Sequence, residues 1–352
     1  MFVSAIGVAV PEHRYTKSDC WDAFATSEWF ERLTPRSRAL TRAVLQHDNG
    51  IEARFLALDS LDEVFAIDPD TLQRRFSTHA PRLASAAGMQ ALTRAGLSAH
   101  QIDAVIVSTC TGYLCPGLSG YVSERLALRR DVQGYDLVGQ GCAGALPNWQ
   151  LASALTDSGQ CEHVLSICVE VCSAAMYLDD DPGVLISACL FGDGAGAAVL
   201  SRRPPAAGRT LQWQHTASMT DPTAREALRF EQRAGLLRNI LTPAVPGLAA
   251  RYAHEVFLSA LDDARLKPAD IRTWILHAGG RDVLLAIQKD FDLTPEALRY
   301  SSDTLRQYGN LSSAFVYFVL EAALTNNAPG GWWWMSSFGA GFSCHGALLS
   351  VS

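Results

Sequence analysis

The sequence predicts a layered α/β protein with helices covering both faces of its sheet and one α/β unit present twice. Three observations predict it. Short apolar runs alternate with longer segments of helical periodicity. Residues 191–200 (FGDGAGAAVL) match residues 338–349 (FGAGFSCHGALL), each read as an apolar strand, a Phe-Gly-x-Gly turn and a second strand. The length, 352 residues, exceeds what one compact core commonly holds. The polar, Pro-rich stretch 201–210 (SRRPPAAGRT) is the seam, which divides the chain into halves 1–205 and 206–352.

Residues 2–10 alternate loosely and stop at Pro11, as a strand does. The same start lacks a basic segment before its apolar run, so it does not read as a signal peptide. Residues 17–46 are helical, with Leu33, Ala39, Leu40, Ala43 and Val44 at helical spacing. A clear helix spans 81–96, from Pro81 to a stop at Gly96. IDAVIVSTC (102–110) and YDLVGQGC (135–142) are strands, and ALPNWQLASAL (145–155) is a helix. HVLSICVEV (163–171) and ISACLFG (186–192) are short apolar strands, as is TWIL (273–276). An apolar helix follows YGNLSSA, and WWWM (332–335) is a core strand entering the FGAGF turn.

Composition excludes several classes. A net charge of −7 and a pI near 5.7 leave no basic stripe to neutralise nucleic-acid phosphates. No apolar run is long enough to span a bilayer, and the expectation is a soluble cytoplasmic protein. The nine cysteines are odd in number and mostly lie in apolar runs, which does not suit a disulfide scaffold. No Cys-x-x-Cys pair occurs and the nine histidines are scattered singly, so no metal site is expected.

Against that background Cys142 differs from the other cysteines. A strand delivers it to the mouth of a helix, Gly141 and Gly144 give the turn room, and Pro147 sits in the first helical turn, where a missing N–H costs nothing. Unpaired N–H groups and the macrodipole at such a mouth favour a thiolate. His277 ends the TWIL strand before a Gly-Gly turn, at the strand edge where α/β folds hold ligands. Asn310 precedes an apolar helix opened by Ser312 and Ser313, and taken alone it reads as a cap. Together the three supply a nucleophile, a base and an amide at three strand–helix junctions, as thioester chemistry requires. A papain-like hydrolase uses the same residue types, but its Cys-Gly-x-Cys-Trp pattern is absent. GDGAG is not a phosphate loop, because a strand and no Lys-Ser/Thr follows it.

Six stretches carry a family resemblance: TCTGYLCPG (109–117), GQGCAG (139–144), LFGDGAGAAV (190–199), HAGG (277–280), YGNLSSA (308–314) and FGAGF (338–342). In these the chain resembles the thiolase-fold condensing enzymes, and among them the chalcone-synthase-like type III polyketide synthases. Several are shared with the ketoacyl-carrier-protein synthase III relatives; the CPG loop, the Gln-Gly before Cys142 and the HxGG form lean to the type III side. The resemblance implies the thiolase fold, two duplicated α/β halves in a five-layered αβαβα arrangement, and an acyltransferase without a cofactor beyond its coenzyme A thioester substrates.

It further implies that Cys142 accepts an acyl starter. His277 and Asn310 then hold a malonyl thioester, and the enolate released on decarboxylation extends the chain. An ion pair between His277 and Cys142 would keep the nucleophile ready. Cavity positions usually held by Thr are here Cys110, Cys172 and Ala175. Phe191 and Gly192 shape the cavity wall, Ser312 joins it, and two bulky gatekeeper positions fall near Leu211 and Asn239. Glu170, an acid in an apolar strand, must be paired or protonated; the resemblance makes it a structural residue near the site. The acidic run Asp179–Asp181 reads as a solvated loop.

Asp48 replaces one of the basic residues that hold coenzyme A, with Arg36, Arg38 and Arg42 nearby as substitutes, or else an acyl carrier protein is the donor. Cys115 stands where the family reaches into a partner subunit, so a homodimer is expected. The competing readings are a ketoacyl synthase III-like enzyme, a hydrolase using the same thiolate, and a non-catalytic dimeric binding protein.

Overall fold

The computed structural model describes residues 1–206 and 208–352. Its strands are β1 (Phe2–Ala9), β2 (Arg14–Thr16), β3 (Ala53–Phe55), β4 (Ala104–Ser108), β5 (Gln133–Leu137), β6 (His163–Glu170), β7 (Gly194–Ser201), β8 (Leu211–Thr220), β9 (Leu228–Arg233), β10 (Leu236–Leu241), β11 (Ile271–Leu276), β12 (Gly331–Gly339) and β13 (Ser343–Val351). Its helices are α1 (Lys17–Ala25), α2 (Glu28–Arg32), α3 (Pro35–Gln46), α4 (Pro69–Ala95), α5 (Leu118–Leu126), α6 (Ala145–Asp157), α7 (Pro182–Leu190), α8 (Val245–Ala264), α9 (Arg281–Asp290), α10 (Arg299–Tyr308) and α11 (Phe315–Thr325).

Nine strands form one sheet in the order β11-β12-β13-β8-β1-β7-β6-β4-β5. The order repeats: β1-β7-β6-β4 and β8-β13-β12-β11 each contain two antiparallel pairs and then a parallel one. The two parts meet where Phe2 and Val3 pair with Gln212 and Leu211. Helices α4 and α5 cover one outer face, α8 with α9 packed on it covers the other, and α6 and α11 lie between, each touching strands of both parts. The result is the five-layered αβαβα arrangement that the family resemblance implies. Strands β4, β6 and β7 are buried along almost their whole length, which is why they read as continuous apolar runs. At corresponding places in β7 and β13, Gly196 and Gly346 leave room for Tyr317 and Trp334; a Cβ would fall 2.3 and 2.2 Å from their side chains.

Four sequence expectations are corrected. Residues 17–46 form three helices, each started by its own side-chain cap at Thr16, Ser27 and Thr34. The helix expected to begin at Pro81 begins twelve residues earlier in the chain, at Pro69 behind the Asp68 cap, and Pro81 lies buried inside it. Its alanine-rich face packs on β1, β6 and β7, and that packing outweighs the hydrogen bond lost at the proline. ISACLFG is the end of a helix, α7, so the first copy of the internal repeat opens on a helix and the second on a strand. Asp181 starts α7 by accepting from the Gly183 and Val184 amides, and Asp180 holds the start of α3 through Thr34, so the acidic run is not merely solvated. WWWM is core, with Trp333, Trp334 and Met335 fully buried.

Candidate active site

Cys142 sits in a single turn, Gly141–Ala143, that feeds directly into α6. The turn is pressed against the loop that follows β12. Gly141 has φ +53°, and a Cβ there would fall 2.8 Å from the Ala340 amide nitrogen, so glycine is needed on both counts. All nine cysteines are free.

His277 follows β11, with its amide donating to the Ser336 carbonyl at 3.0 Å to continue the ladder. Its ring is edge-on to Phe315 and Phe338, with centroids 5.4 and 5.0 Å away, and neither ring nitrogen has a hydrogen-bond partner in the protein. Asn310 is buried, and both ends of its amide are engaged: Nδ2 donates to the Gly279 carbonyl at 2.8 Å, and Oδ1 accepts from the Ser312 amide at 2.9 Å. One Nδ2 hydrogen remains. The backbone of Asn310 is pinned between Leu190 and Gly192 at the end of α7. The cap reading of Asn310 is therefore half right: Oδ1 braces the turn into α11, and Nδ2 turns toward the His277 loop.

Ser312 joins these pieces. It is buried with φ +51°, an uncommon conformation for a residue with a side chain. Its Oγ lies 3.2 Å from Cys142 Sγ, 3.3 Å from Cys110 Sγ and 3.4 Å from Glu170 Oε1. Glu170 is wholly buried, and none of the ion pairs of the described residues includes it. Hydrogen bonds satisfy it instead: Oε2 accepts from the Cys110 amide at 3.0 Å, Thr111 Oγ1 at 2.9 Å and Thr109 Oγ1 at 3.2 Å, while Oε1 accepts from Ser313. Burial lifts its carboxyl above the usual carboxylate range, and these donors pull the other way.

The ion pair expected between Cys142 and His277 is corrected. Burial pushes the Cys142 thiol up to about 12, with the Ser312 hydrogen bond opposing and the Glu170 charge adding to the rise. Burial alone pulls His277 down to about 3. Both shifts favour the neutral forms, desolvation opposing what the helix mouth offers a thiolate, and neither ring nitrogen of His277 has a hydrogen-bond partner.

Of the expected cavity residues, Cys110, Cys172, Ala175, Phe191, Asn239 and Ser312 line one cavity of about 40 Å³. Leu211 does not. It is a core residue of β8, opposite Val3 and Val351 at the join of the two sheet parts, because the inward side of that strand faces the sheet's packing and not the site. The sequence reading missed Met176, Tyr177 and Phe230 in the lining and Thr109, Thr111 and Ser313 around Glu170. The buried glutamate was the available signal for the hydroxyls, since it demands donors. Arg38 and Arg42 lie over the rings of Phe30 and Trp21, and Arg281, at the start of α9, approaches Asp48 at 3.7 Å. Among the described residues no cluster of three or more His, Cys, Asp or Glu could hold a metal ion, and no helix is long and apolar enough to cross a membrane.

Residues 61–220 match the family model of FAE1/type III polyketide synthase-like proteins, and residues 222–350 match the C-terminal domain of chalcone and stilbene synthases. A 1,3,6,8-tetrahydroxynaphthalene synthase of Streptomyces peucetius subsp. caesius is 31% identical, over 99% of this chain and 92% of the relative. A 3,5-dihydroxyphenylacetyl-CoA synthase of Streptomyces toyocaensis is 28% identical, over 99% of this chain and 89% of the relative. The crystal structure of the C-terminal type III polyketide synthase domain of Steely1, from Dictyostelium, superposes with a TM-score of 0.91 at 22% identity, covering 99% of this chain and 98% of that one.

Proposed function

Because the chain belongs to the type III polyketide synthases of the chalcone synthase type, we propose that it extends an acyl starter with malonyl units through a thioester on Cys142. The reaction class is acyl transfer by decarboxylative Claisen condensation. The single observation that carries the site assignment is the chain of short contacts from Cys142 through Ser312 and Asn310 to the Gly279 carbonyl, two residues beyond His277.

In loading, the Cys142 thiol adds to the starter thioester carbonyl. Its proton passes to the neutral His277, and coenzyme A leaves as the thiol when that proton is returned. In extension, a His277 N–H and the remaining Nδ2 hydrogen of Asn310 hold the malonyl thioester oxygen. The carboxylate departs as CO2, its bonding pair becomes the enolate, and the enolate displaces Cys142 from the acyl group to form the new carbon–carbon bond. A neutral histidine suits both duties, since it has one nitrogen to accept and one to donate. The unpartnered ring nitrogens support this role.

Coenzyme A thioesters are the proposed substrates, in keeping with the S. toyocaensis relative's name, and the comparisons favour them over a carrier-protein donor. We further propose two functional halves, 1–205 bearing the nucleophile and 206–352 bearing His277 and Asn310, on the strength of the repeated strand order. A homodimer is proposed from the exposed Tyr113 and Val138, 70% and 63% accessible, which flank a groove of about 600 Å³ leading to Cys110. Intact-protein mass spectrometry with a panel of acyl-CoA thioesters tests the function. The wild type gains the acyl mass and Cys142→Ala does not, and malonyl-CoA then yields extended products. An adduct that persists on Cys142→Ala, or free acid as the sole product, would overturn it.

A further inference from the structure

The cavity beside Cys142 holds few polar groups that are free to meet a substrate. Thr111 Oγ1 donates to Glu170 at 2.9 Å, Ser173 Oγ to Asp193 at 2.6 Å and Ser187 Oγ to the Gly183 carbonyl at 2.8 Å. The Ser312 hydroxyl is directed at Cys142 and Glu170. Tyr177, half-buried, and Asn239 are not engaged in this way. Asn239 lines the cavity at 8% exposure, and its Oδ1 is fully buried with no hydrogen-bond partner in the protein. An amide oxygen in that condition carries a desolvation cost that a partner would relieve.

The side chain is also held in place. Asn239 lies on β10 opposite Phe230 of β9, and both line the cavity. Its neighbour Arg238 points the other way, 3.0 Å from Glu231 and 3.4 Å from Asp181 at the start of α7. That clamp fixes the alternation of the strand and so directs residue 239 inward.

An unsatisfied acceptor requires a donor from the substrate. A simple alkyl or aryl acyl group has none near its thioester. Once one malonyl unit has been added, the chain is a β-keto thioester, whose enol form presents a hydroxyl. The cavity is small, room for roughly three water-sized groups, and Ser312, which contacts Cys142, lines it together with Asn239. Resting on the condensing activity proposed above, we infer that Asn239 is a specificity-determining residue that recognises the keto-enol oxygen of the growing chain, its Oδ1 accepting the enol hydroxyl. It acts on second and later extensions, not on loading or on malonyl decarboxylation. A site built around a hydrogen bond to substrate loses more with a partner missing than an apolar wall does.

The test uses wild type, Asn239→Leu and Asn239→Thr with one unbranched aliphatic acyl-CoA and malonyl-CoA, with products resolved by length. In Asn239→Leu the ratio of products with two or more extensions to the single-extension product falls about tenfold relative to wild type, whatever the change in total turnover. Asn239→Thr, which retains an oxygen acceptor, falls between. An unchanged length distribution in Asn239→Leu overturns the inference. So does a parallel loss of acyl loading, decarboxylation and every product in both variants, which would make the residue structural. A wild type that takes the acyl group but forms no carbon–carbon bond defeats the condensing function itself, a result distinct from either.

Discussion

Two walls of the same site treat their buried titratable groups in opposite ways. On the wall built by β4 and β6, Glu170 is surrounded by hydroxyls and an amide that all point at it. On the wall built by β11 and β12, His277 stands between two phenylalanine rings with no polar partner at either nitrogen. Both groups are out of water. Glu170 has spent its accepting capacity on the protein, so it braces the turns that bear Cys110 and Ser313. His277 has spent none, so under the proposed function both of its ring nitrogens are left for substrate. In a dry site the groups left unsatisfied in the free protein are the ones available for chemistry, and the fully satisfied ones hold the frame.

That contrast can be broken or sharpened by measurement. His277→Ala should lower kcat/KM by about 10²- to 10⁴-fold with little change in thermal midpoint, as expected for loss of a general base. Asn310→Asp keeps the acceptor for the Ser312 amide and removes the free N–H donor; malonyl-CoA decarboxylation should drop about 10²- to 10³-fold. The pH dependence of Cys142 alkylation by iodoacetamide tests the neutral pair. With the thiol at about 12 and His277 at about 3, the thiolate fraction, and with it the rate, rises about tenfold per pH unit from 7 to 9. A plateau across that range would mean a standing ion pair and would remove the contrast. Glu170→Gln faces its donors with an N–H2 group, so urea unfolding should show a loss of about 1–3 kcal/mol. If Glu170→Gln instead lost turnover on the scale of His277→Ala at unchanged stability, the assignment of Glu170 to the frame would fail.

Much of the site was legible because glycine and helix signals are local. The Gly-Cys-Ala-Gly turn, the strand edge at His277 and the turn before α11 each announce themselves in a few residues. The charge state was not legible. A helix mouth can be read from sequence, but the desolvation that overrides it comes from residues far apart in the chain. The same limit applies to ISACLFG. Its composition suits a buried strand or a buried helix equally, and only the Asp181 cap and Pro182 just before it decide in favour of the helix. Leu211 was misplaced because an aligned position gives no direction, whereas its pairing with Val3 puts it in the join of the sheet. Pro81 shows packing overriding a local breaker, since the apolar face of α4 continues past it on both sides.

The small β9–β10 ribbon stands outside the nine-stranded sheet, yet it delivers Phe230 and Asn239 to the cavity. The residues proposed to carry out condensation adjoin the main sheet and central helices, whose inward positions are buried. Most of the ribbon is only half-buried. Changes there place little of the buried core at risk. If Asn239 acts as inferred, evolvability is unevenly distributed in this molecule: drift in one short appendage alters which chains are accepted while the proposed condensing residues stay untouched.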